Sequence, residues 1–381
     1  MRVVYVIDSL TPGGAERSLA ALAPGLAERD VELHVAYLHR RAGLERELLE
    51  AGAQLHCLAG RGGRLGWLWR TRELVATERP DLVHTTLFEA DIAGRTAAWL
   101  SRLTVVSSLV NLAYGPEQAR HGGPPAWKLR GAQLADAVTA RSVTRFHAVS
   151  HHVAQQMGRR LRIPADRIDV VPRGRDPRQL GTRTAERRRG ARAGLDLSPD
   201  TPLVLATARQ EVQKGLDTLI EAFNLVLRRR PDARLVLAGR DGGQTTQLHA
   251  AVERLGLDHA VRFLGVREDV GDLLCAADVF VLPSRWEGLP GAVLEAMALE
   301  APVVASDLPM VRETVTDGVT ARLVPVDQAA AFATAVVEVL DDAAGAAERA
   351  TRARADFLER FTVERAADGM VAFYRRALST R

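Results

Sequence analysis

The feature that most constrains the fold of this 381-residue chain is an alternation of short apolar runs with longer helical stretches, which occurs twice. In the first half, the apolar runs lie at 2–7, 31–38, 53–58, 81–85, 104–109 and 145–149. Segments of helical periodicity separate them. Near-continuous apolar strands that alternate with helices predict a parallel sheet covered by helices on both faces.

The alternation stops at 172–194, a segment rich in Arg, Gly and Pro that we interpret as an interdomain linker and a lead-in helix. It then restarts, with strand candidates at 203–207, 234–239, 261–264, 278–282 and 302–305. The sequence therefore predicts an α/β protein of two Rossmann-like domains, 1–180 and 181–360, with a C-terminal helix at 361–381 that can cross back to the first domain. Ligands bind at the carboxyl ends of parallel strands, so the cleft between the domains is the expected site.

Composition favours a cytoplasmic globular protein. Its two cysteines, Cys57 and Cys275, are too few for a disulfide framework and favour a reducing compartment. The N-terminus lacks the apolar core of a secretory signal, and no apolar run approaches the roughly 20 residues of a membrane span. Residues 1–180 carry 25 Lys and Arg against 18 Asp and Glu. This excess fits either solvated surface charge or peripheral contact with an anionic membrane, and we expect no nucleic-acid partner.

The turn after the first predicted strand contains Gly13 and Gly14. Two glycines let the backbone approach a ligand closely, and the N-terminus of the following helix favours an anion. Arg17 stands three residues after Gly14, so the G-x-G-x-x-G fingerprint is absent and NAD binding is disfavoured. A simple strand-to-helix turn would give the same pattern.

Two cations flank the loop after the first strand of the second half. Arg209 stands just past that strand, and Lys214 opens the next helix. An arginine can bind two phosphate oxygens at once and a lysine supplies a point charge, so the pair suits a diphosphate. The chain contains only one other lysine, Lys128. Where arginine is so strongly preferred, a lysine at this position indicates that a compact ammonium group is needed.

The most informative segment is the loop and helix after the strand that ends at 282. Glu287 lies in the loop, and Glu295 lies about one and a half turns inside the helix that begins near Pro290. The backbone N–H groups at the start of this helix can bind an anion. Carboxylates accept hydrogen bonds from vicinal hydroxyls, so the two glutamates can bind the sugar end and the ribose end of a nucleotide sugar. An apolar helix is an unusual place for a charge without a partner.

These segments together resemble glycosyltransferase family 4, which comprises retaining, nucleotide-sugar-dependent enzymes of the GT-B fold. The similarity covers essentially the whole chain. Its matching stretches include GGAER at 13–17, VHTTLFEADIAGR at 83–95, ATARQEVQKGLDTLIEAF at 206–223 and FVLPSRWEGLPGAVLEAMALEAPVVASDLPMVRETVTDG at 280–318.

The resemblance implies a role for each candidate residue. Arg209 and Lys214 would hold the donor diphosphate and serve catalysis, together with Glu287, which would contact hydroxyls of the donor sugar. Glu295 would bind the ribose hydroxyls. The donor pocket would also be lined by Gly288, Leu289 and Pro290, and by Gly13 and Gly14 from the first domain. The co-substrate is then a nucleoside-diphosphate sugar, the acceptor is a glycan, a lipid-linked or a small-molecule hydroxyl, and no further cofactor is required.

The sequence departs from the family at several positions. Arg173-Gly174 stands where many members have Asn-Gly, and residues 107–111 (SSLVN) lack a histidine that many members carry. The identity of a catalytic base is therefore open. No Asp-x-Asp motif occurs, so no metal is expected at the diphosphate.

Three other interpretations remain compatible with the sequence. One is a non-catalytic nucleotide-sugar-binding subunit of a partner enzyme. Another is a different GT-B enzyme, such as a nucleotide-sugar epimerase or a phosphorylase. The third concerns location, because basic and aromatic residues are mixed at 64–74 and 126–145 in a way that suits peripheral membrane contact.

Overall fold

The computed structural model describes residues 1–115 and 125–380, which form two compact units. The first unit comprises Met1–Gly174 and the segment that begins at Thr362, and the second comprises Arg175–Phe361. The unit boundaries thus lie at 174/175 and 361/362, whereas the sequence placed the domain boundaries at 180/181 and 360/361.

A parallel sheet of seven strands forms the centre of the first unit. The strands are β1 (Arg2–Ile7), β2 (Glu32–Tyr37), β3 (Gln54–Cys57), β4 (Leu82–Thr86), β5 (Thr104–Leu109), β6 (Arg145–Ala148) and β7 (Ile168–Val170). Their order in the sheet is β3-β2-β1-β4-β5-β6-β7. The central strands are buried over almost their whole length; β1 (RVVYVI) is almost wholly apolar, whereas β4 (LVHTT) and β5 (TVVSSL) also bury polar side chains.

Helices cover both faces of this sheet. They are α1 (Gly14–Ala27), α2 (Glu45–Glu50), α3 (Gly63–Glu78), α4 (Phe88–Leu100), α5 (Ala126–Thr139) and α6 (His151–Leu161). Val3, Tyr5 and Ile7 share one apolar cluster with residues of α1. On the opposite face α4 approaches so closely that a side chain at Gly94 would collide with Thr85.

The second unit repeats this architecture with a six-stranded parallel sheet. Its strands are β8 (Leu203–Thr207), β9 (Arg234–Ala238), β10 (Val261–Gly265), β11 (Val279–Leu282), β12 (Val303–Ser306) and β13 (Arg322–Val324). Its helices are α7 (Pro177–Leu180), α8 (Ala185–Ala193), α9 (Leu216–Leu227), α10 (Thr245–Arg254), α11 (Val270–Ala276), α12 (Gly291–Ala298), α13 (Pro309–Arg312), α14 (Ala329–Asp341) and α15 (Ala343–Arg360). The two Rossmann-like sheets confirm the predicted fold class.

The strand order of the second sheet determines where a ligand can bind. The order is β10-β9-β8-β11-β12-β13, so the chain moves outward from β8 in one direction and then in the other. The chain therefore leaves the carboxyl ends of the neighbouring strands β8 and β11 in opposite directions. Such a switch point is where open α/β sheets form a ligand crevice.

The arginine-rich segment that the sequence marked as a linker with a lead-in helix contains α8, which is anchored in the second unit. Arg188 donates to the Asp278 carboxylate at 2.6 Å. Arg192, which is buried, donates to the Ala276 carbonyl at 2.9 Å. These arginines bind one carboxylate and several backbone carbonyls beside β11, so their charge stabilises the unit internally.

The last helix, α16 (Val363–Ser379), belongs to the first unit. Thr362 caps it by accepting a hydrogen bond from the amide of Arg365. Its apolar face buries Met370, Phe373 and Tyr374 against the sheet. The sequence predicted that a terminal helix could return to the first domain, and this prediction is confirmed.

A chain of buried hydrogen bonds fastens α16 to the sheet. The Tyr374 hydroxyl lies 2.7 Å from His84 Nδ1, and His84 Nε2 lies 2.7 Å from Ser108 Oγ. Ser108 Oγ is in turn 2.7 Å from His147 Nδ1, and His147 Nε2 is 2.8 Å from the Val171 carbonyl. Three strands, the segment after β7 and α16 are thus joined by consecutive polar contacts.

The direction of this chain follows from its last acceptor. A carbonyl only accepts, so His147 Nε2 carries a proton. Burial lowers the pKa of His147 to about 4 and that of His84 well below its usual value, so both imidazoles are neutral near pH 7. His147 Nδ1 then accepts from Ser108, which accepts from His84 Nε2, and His84 Nδ1 accepts from Tyr374. Every member is satisfied in one orientation only.

These neutral histidines predict acid lability of the first unit. An unfolded histidine binds a proton below about pH 6.5, whereas burial lowers the pKa of His147 to about 4 and holds that of His84 well below its usual value. The free energy of unfolding should therefore fall as the pH decreases from 6.5 to 4, by about 1.4 kcal/mol per pH unit for each such histidine. Urea unfolding at a series of pH values measures this dependence. The His147→Gln variant should lose the part of the slope of unfolding free energy against pH that His147 contributes.

The control is the exposed His259→Gln change, which should leave this slope as it is. Equal slopes for His147→Gln and the wild type would contradict the assignment.

Within residues 1–115 and 125–380, none of the helices combines the length and the apolar character that crossing a membrane requires.

Candidate active site

The switch point of the second sheet brings together two of the residues singled out in the sequence. Lys214 ends a short 3₁₀ helix after β8, and Glu287 lies in the loop after β11. Lys214 Nζ is 2.5 Å from Glu287 Oε1. The site is therefore built by loops from two neighbouring strands, although the two residues are 73 positions apart in the chain.

Several hydrogen bonds hold these two loops against each other. The Arg285 guanidinium binds both carboxylate oxygens of Asp217, at 2.8 and 3.0 Å, and donates to the Val212 carbonyl at 2.7 Å. The side-chain amide of Gln213 donates to the Trp286 carbonyl at 2.8 Å, and the backbone carbonyl of Gln213 accepts from the backbone amide of Arg285. Such bidentate pairing is geometrically specific, so the position of Glu287 relative to Lys214 is strongly constrained.

A close backbone approach requires glycine between the 3₁₀ helix and α9. Gly215 adopts φ +60°, and a Cβ atom there would collide with the Pro283 carbonyl oxygen. The absence of a side chain allows the loop that carries Glu287 to lie directly against the loop that carries Lys214. Gly215 thus allows the side chains of Lys214 and Glu287, the two candidate residues, to meet.

We expect the Gly215→Ala variant to be destabilised by about 2–4 kcal/mol, because a left-handed non-glycine residue costs about 1–2 kcal/mol and overpacking adds a similar amount. Gly256→Ala is the matched control, since Gly256 has φ +67° with nothing within 4 Å of a Cβ atom. Urea unfolding of both variants separates the cost of the dihedral from the cost of the collision. Equal losses in the two variants would show that the approach to Pro283 is unimportant.

Neighbouring side chains hold the Glu287 carboxylate in place. Its residue is 6% exposed, and its Oε1 accepts hydrogen bonds from Lys214 and from Ser284 Oγ, the latter at 2.8 Å. Within the described part of the chain, its Oε2 makes no hydrogen bond. One carboxylate oxygen is thus held by the protein while the other can accept from a ligand hydroxyl.

Glu295 shows the same arrangement on α12. Arg175 Nε donates to Glu295 Oε1 at 2.7 Å, and no described residue bonds to its Oε2. Gly291 lies four residues earlier, on the same helix face, and a side chain there would collide with the Arg175 guanidinium. Arg175 therefore lies along the first turn of α12 and orients the glutamate.

The start of α12 is a further electrostatic element. Its N-cap residue is Pro290, and no side chain in the described part of the chain caps it. The first amide groups of a helix have no partner within the helix, and the helix dipole favours an anion there. Gly288, Leu289 and Pro290, which precede the helix, are buried.

Arg209 and several polar atoms at this sheet edge have no partner among the described residues. The exposed Arg209 side chain makes no hydrogen bond or ion pair with any described residue. Among the described residues, three other polar atoms at the ends of β8 and β12 are buried and unpaired: Thr207 Oγ1, Gln210 Oε1 and Ser306 Oγ. Buried polar atoms are usually hydrogen-bonded, so this concentration indicates a place for a polar ligand.

Gly13 and Gly14 belong to the first unit, where they form the turn between β1 and α1. Gly13 is the N-cap of α1 in an extended conformation. A Cβ atom at Gly14 would lie 3.0 Å from Arg173 Nη1. Any contact of this turn with the donor stays a prediction.

Sequence reasoning did not assign roles to Arg175 or Ser284, although both order the predicted glutamates. Arg175 fell within the segment interpreted as a linker, and its partner is 120 residues away. The available signal was Glu295 itself. A glutamate in an apolar helix needs a partner, and a basic residue such as Arg175 could supply it.

Comparisons with known proteins decide the family. A model described as Glycosyltransferase Family 4 matches residues 12–179, and one described as Glycosyl transferases group 1 matches residues 201–342. A D-inositol 3-phosphate glycosyltransferase from Mycolicibacterium gilvum is 30% identical over 320 residues, which cover 80% of this chain and 68% of that protein. The chain belongs to glycosyltransferase family 4. The resemblance found in the sequence is thereby confirmed, and the protein is an enzyme of the glycosyltransferase class.

Other matches extend along most of this glycosyltransferase. An alpha-D-kanosaminyltransferase from Streptomyces kanamyceticus is 27% identical over 319 residues, covering 82% of each chain. Three further relatives are matched over about half of their length, 43–54%. The crystal structure of Anabaena Alr3699/HepE in complex with UDP-glucose has a TM-score of 0.85, with 23% identity over 100% of this chain and 99% of that one. This likeness shows that the glycosyltransferase has the GT-B fold.

Proposed function

We propose that this glycosyltransferase moves a sugar from a nucleoside-diphosphate sugar to an acceptor hydroxyl, with retention at the anomeric carbon. The observation that carries the proposal is the contact between Lys214 and Glu287 at the switch point. In a nucleotide sugar the β-phosphate is bonded directly to the anomeric carbon. A phosphate-binding cation and a hydroxyl-binding carboxylate must therefore be neighbours, as these two side chains are.

The donor diphosphate is assigned to Arg209, Lys214 and the N-terminus of α12. Arg209 has no partner among the described residues, so binding of a phosphate breaks no existing ion pair. Lys214 can reach a phosphate while it stays close to Glu287. As the bond to the sugar breaks, negative charge grows on the departing diphosphate, and pre-oriented donors stabilise it. These groups would therefore lower the barrier to leaving-group departure.

The two glutamates are assigned to the two hydroxyl-bearing ends of the donor. Glu295, held by Arg175, would accept from the ribose hydroxyls, and Glu287 would accept from the transferred sugar. Each keeps Oε2 available for this purpose within the described structure. The structures of Anabaena Alr3699/HepE with UDP and with UDP-glucose support a donor of this class.

Retention requires no enzyme nucleophile if the acceptor attacks from the face that the diphosphate leaves. The acceptor oxygen then bonds to the anomeric carbon as the bond to the phosphate oxygen breaks. The acceptor proton passes to that phosphate oxygen, so the reaction is balanced without a protein base. This route suits a site whose described polar groups act mainly on the diphosphate and on hydroxyls.

The first test is a thermal-shift screen against UDP-, GDP-, ADP- and dTDP-sugars, followed by a transfer assay with the best donor. We expect release of nucleoside diphosphate in step with product formation over a panel of glycan, lipid-linked and small-molecule acceptors. NMR of the product should show the anomeric configuration of the donor. An inverted product would refute retention, and donor binding without turnover on every acceptor would refute catalysis by the chain alone.

We also propose that the first unit can contact an anionic membrane surface. Large apolar side chains are exposed on two helices that also carry basic residues: Leu65 and Trp69 on α3, and Trp127 and Leu134 on α5. Trp127 is 71% exposed, with Lys128 above its ring. Basic helices with exposed aromatics can bind the interface of anionic bilayers. Sedimentation with anionic but not with neutral vesicles at low salt is the expected result, and no sedimentation with either would exclude the contact.

A further inference from the structure

A second group of potential ligands lies in the first unit, at the β2–β3 side of its sheet. One nitrogen each from His34 and His56 and one carboxylate oxygen of Glu78 all lie within 4.8 Å of one another. His34 is buried, at 1% exposure, whereas His56 and Glu78 are partly exposed. None of these residues belongs to the proposed donor site.

The strand register explains why the two imidazoles meet. His56 on β3 pairs with Ala36 on β2, and Ala36 lies two residues after His34. Residues two apart on a strand share a face of the sheet, so both imidazoles project to the same side. Their rings stack with centroids 5.3 Å apart and planes within 6°. Glu78, the last residue of α3, brings its carboxylate to this face.

Two of the three distances between these atoms are close to those between the ligands of one ion. His34 Nδ1 is 3.1 Å from His56 Nε2 and 3.4 Å from Glu78 Oε2. Zinc binds nitrogen and oxygen ligands at about 2.0–2.2 Å, so tetrahedral ligand atoms lie about 3.3–3.6 Å from one another. The His56 and Glu78 atoms lie within 4.8 Å of each other, so adjustment of the side chains could place all three atoms around one ion.

Hydrogen bonding on the far side of His34 orients its free electron pair. His34 Nε2 lies 3.1 Å from Glu32 Oε1, and a carboxylate only accepts, so Nε2 carries the proton. Arg2 Nε holds the other oxygen of Glu32 at 3.0 Å. In the neutral imidazole, Nδ1 then carries a lone pair, which accepts from His56 Nε2–H at 3.1 Å when no ion is bound and also faces the Glu78 oxygen, a second acceptor, at 3.4 Å. Two acceptors 3.4 Å apart repel unless a proton or a cation lies between them.

We propose that His34, His56 and Glu78 bind a divalent transition-metal ion, with Zn²⁺ as the best match. Two imidazoles and one carboxylate are a ligand set typical of zinc, and a water molecule would complete the tetrahedron. Glu32 acts behind His34 as the carboxylate of a carboxylate–histidine–metal triad, a common supporting contact in metal sites. The ion would join β2, β3 and the end of α3.

The competing arrangement is a shared proton in place of the ion. A proton can join only two of the three atoms, whereas a metal ion engages all three. The two arrangements therefore differ in metal uptake. A metal site takes up one ion per chain and loses affinity when His56 is replaced, whereas a shared proton gives no uptake. Uptake and affinity can both be measured without any assay of sugar transfer.

The test uses the full chain without an affinity tag, stripped with EDTA and titrated with Zn²⁺ in competition with a chromophoric chelator. We expect one ion per chain and a rise in the unfolding temperature, since the ion binds only the folded state. His56→Ala and Glu78→Gln should each weaken binding more than tenfold, and Glu32→Gln about 10–100-fold. Co²⁺ in place of Zn²⁺ should give the visible absorption of a tetrahedral site.

The exposed His259→Ala change is the matched control and should keep full binding. Circular dichroism of each variant verifies that it is folded, and His34 is left unchanged because it is buried. Uptake well below one ion per chain by the wild type would overturn the proposal. So would unchanged Zn²⁺ affinity in folded His56→Ala, which would show that the ion binds elsewhere on the chain.

Discussion

Replacing Lys214 by alanine should lower kcat for glycosyl transfer by about 10²–10³-fold, equivalent to about 3–4 kcal/mol of barrier. The reason is that, in the proposed mechanism, Lys214 stabilises the negative charge that develops on the departing diphosphate. An arginine at 214 should recover only part of the rate, because its planar guanidinium does not reproduce the compact ammonium that contacts Glu287. Steady-state kinetics with the donor found in the screen would measure the loss.

The control for this experiment is provided by the composition of the chain. Lys128 is the only other lysine, and it lies on α5 in the first unit. Lys128→Ala removes an equal charge and should leave nucleotide binding and turnover with a soluble acceptor unchanged. Unchanged turnover in Lys214→Ala would refute the role of Lys214.

Loss of Lys214 also leaves Glu287 buried without its charge partner, so a folding defect must be distinguished from a catalytic one. The Lys214→Ala, Glu287→Gln double variant removes both charges while Ser284 can still bond to the side-chain amide oxygen. If this variant unfolds at the wild-type temperature and is slower than the Glu287→Gln single variant, the loss caused by removing Lys214 is catalytic. If Lys214→Ala is slow only because it is partly unfolded, osmolytes that restore folding should restore the rate.

Replacing Arg95 by alanine should destabilise the first unit by about 3–5 kcal/mol, a large part of the total stability of a typical domain. Arg95 is fully buried and donates to Asp136 at 2.5 Å and to Ser107 at 2.8 Å. Its second ion-pair partner, Asp91, lies 3.2 Å away and is also buried. Without the guanidinium, two carboxylates would remain in the protein interior with no countercharge.

An exposed ion pair offers the contrast. Arg46 and Glu50 are paired at 3.6 Å, with side chains 82% and 69% exposed, and such surface pairs contribute about 0.5 kcal/mol or less. Urea unfolding of Arg95→Ala and Arg46→Ala should therefore differ by several kcal/mol. Adding Asp136→Asn to Arg95→Ala should recover part of the lost unfolding free energy, because it removes one buried charge that has no partner. Similar losses for Arg95→Ala and Arg46→Ala would contradict the network.

The sequence predicted the central elements well because their signal is local. The strand candidates 2–7, 104–109 and 203–207 coincide with β1, β5 and β8, since buried parallel strands are rich in apolar residues, valine above all. Two strands were missed, β7 and β13. Each has three residues and lies at the edge of its sheet, where one side lacks a neighbouring strand and the apolar pattern is weak.

Contacts between distant residues could not be predicted in the same way. The sequence assigned Lys214 and Glu287 to one donor site, because each follows a predicted strand of the second half and the resemblance to the family implies a role for both. It gave no indication that Arg175 pairs with Glu295, or that His84 joins Tyr374 and Ser108. Such partners are fixed by packing across 24 to 290 residues, and no local periodicity encodes them.

The return of α16 to the first unit has a consequence for synthesis on the ribosome. When Gly174 has emerged, the first sheet is complete, but its covering helix lies beyond the whole of Arg175–Phe361. At a translation rate of about 5–20 residues per second, the nascent first unit waits roughly 10–40 s for that helix. During this interval His84 lacks its Tyr374 donor, and the sheet face that Phe373 will cover is open to water and to chaperones. The second unit is contiguous and can fold first, so the unit made first is the one finished last.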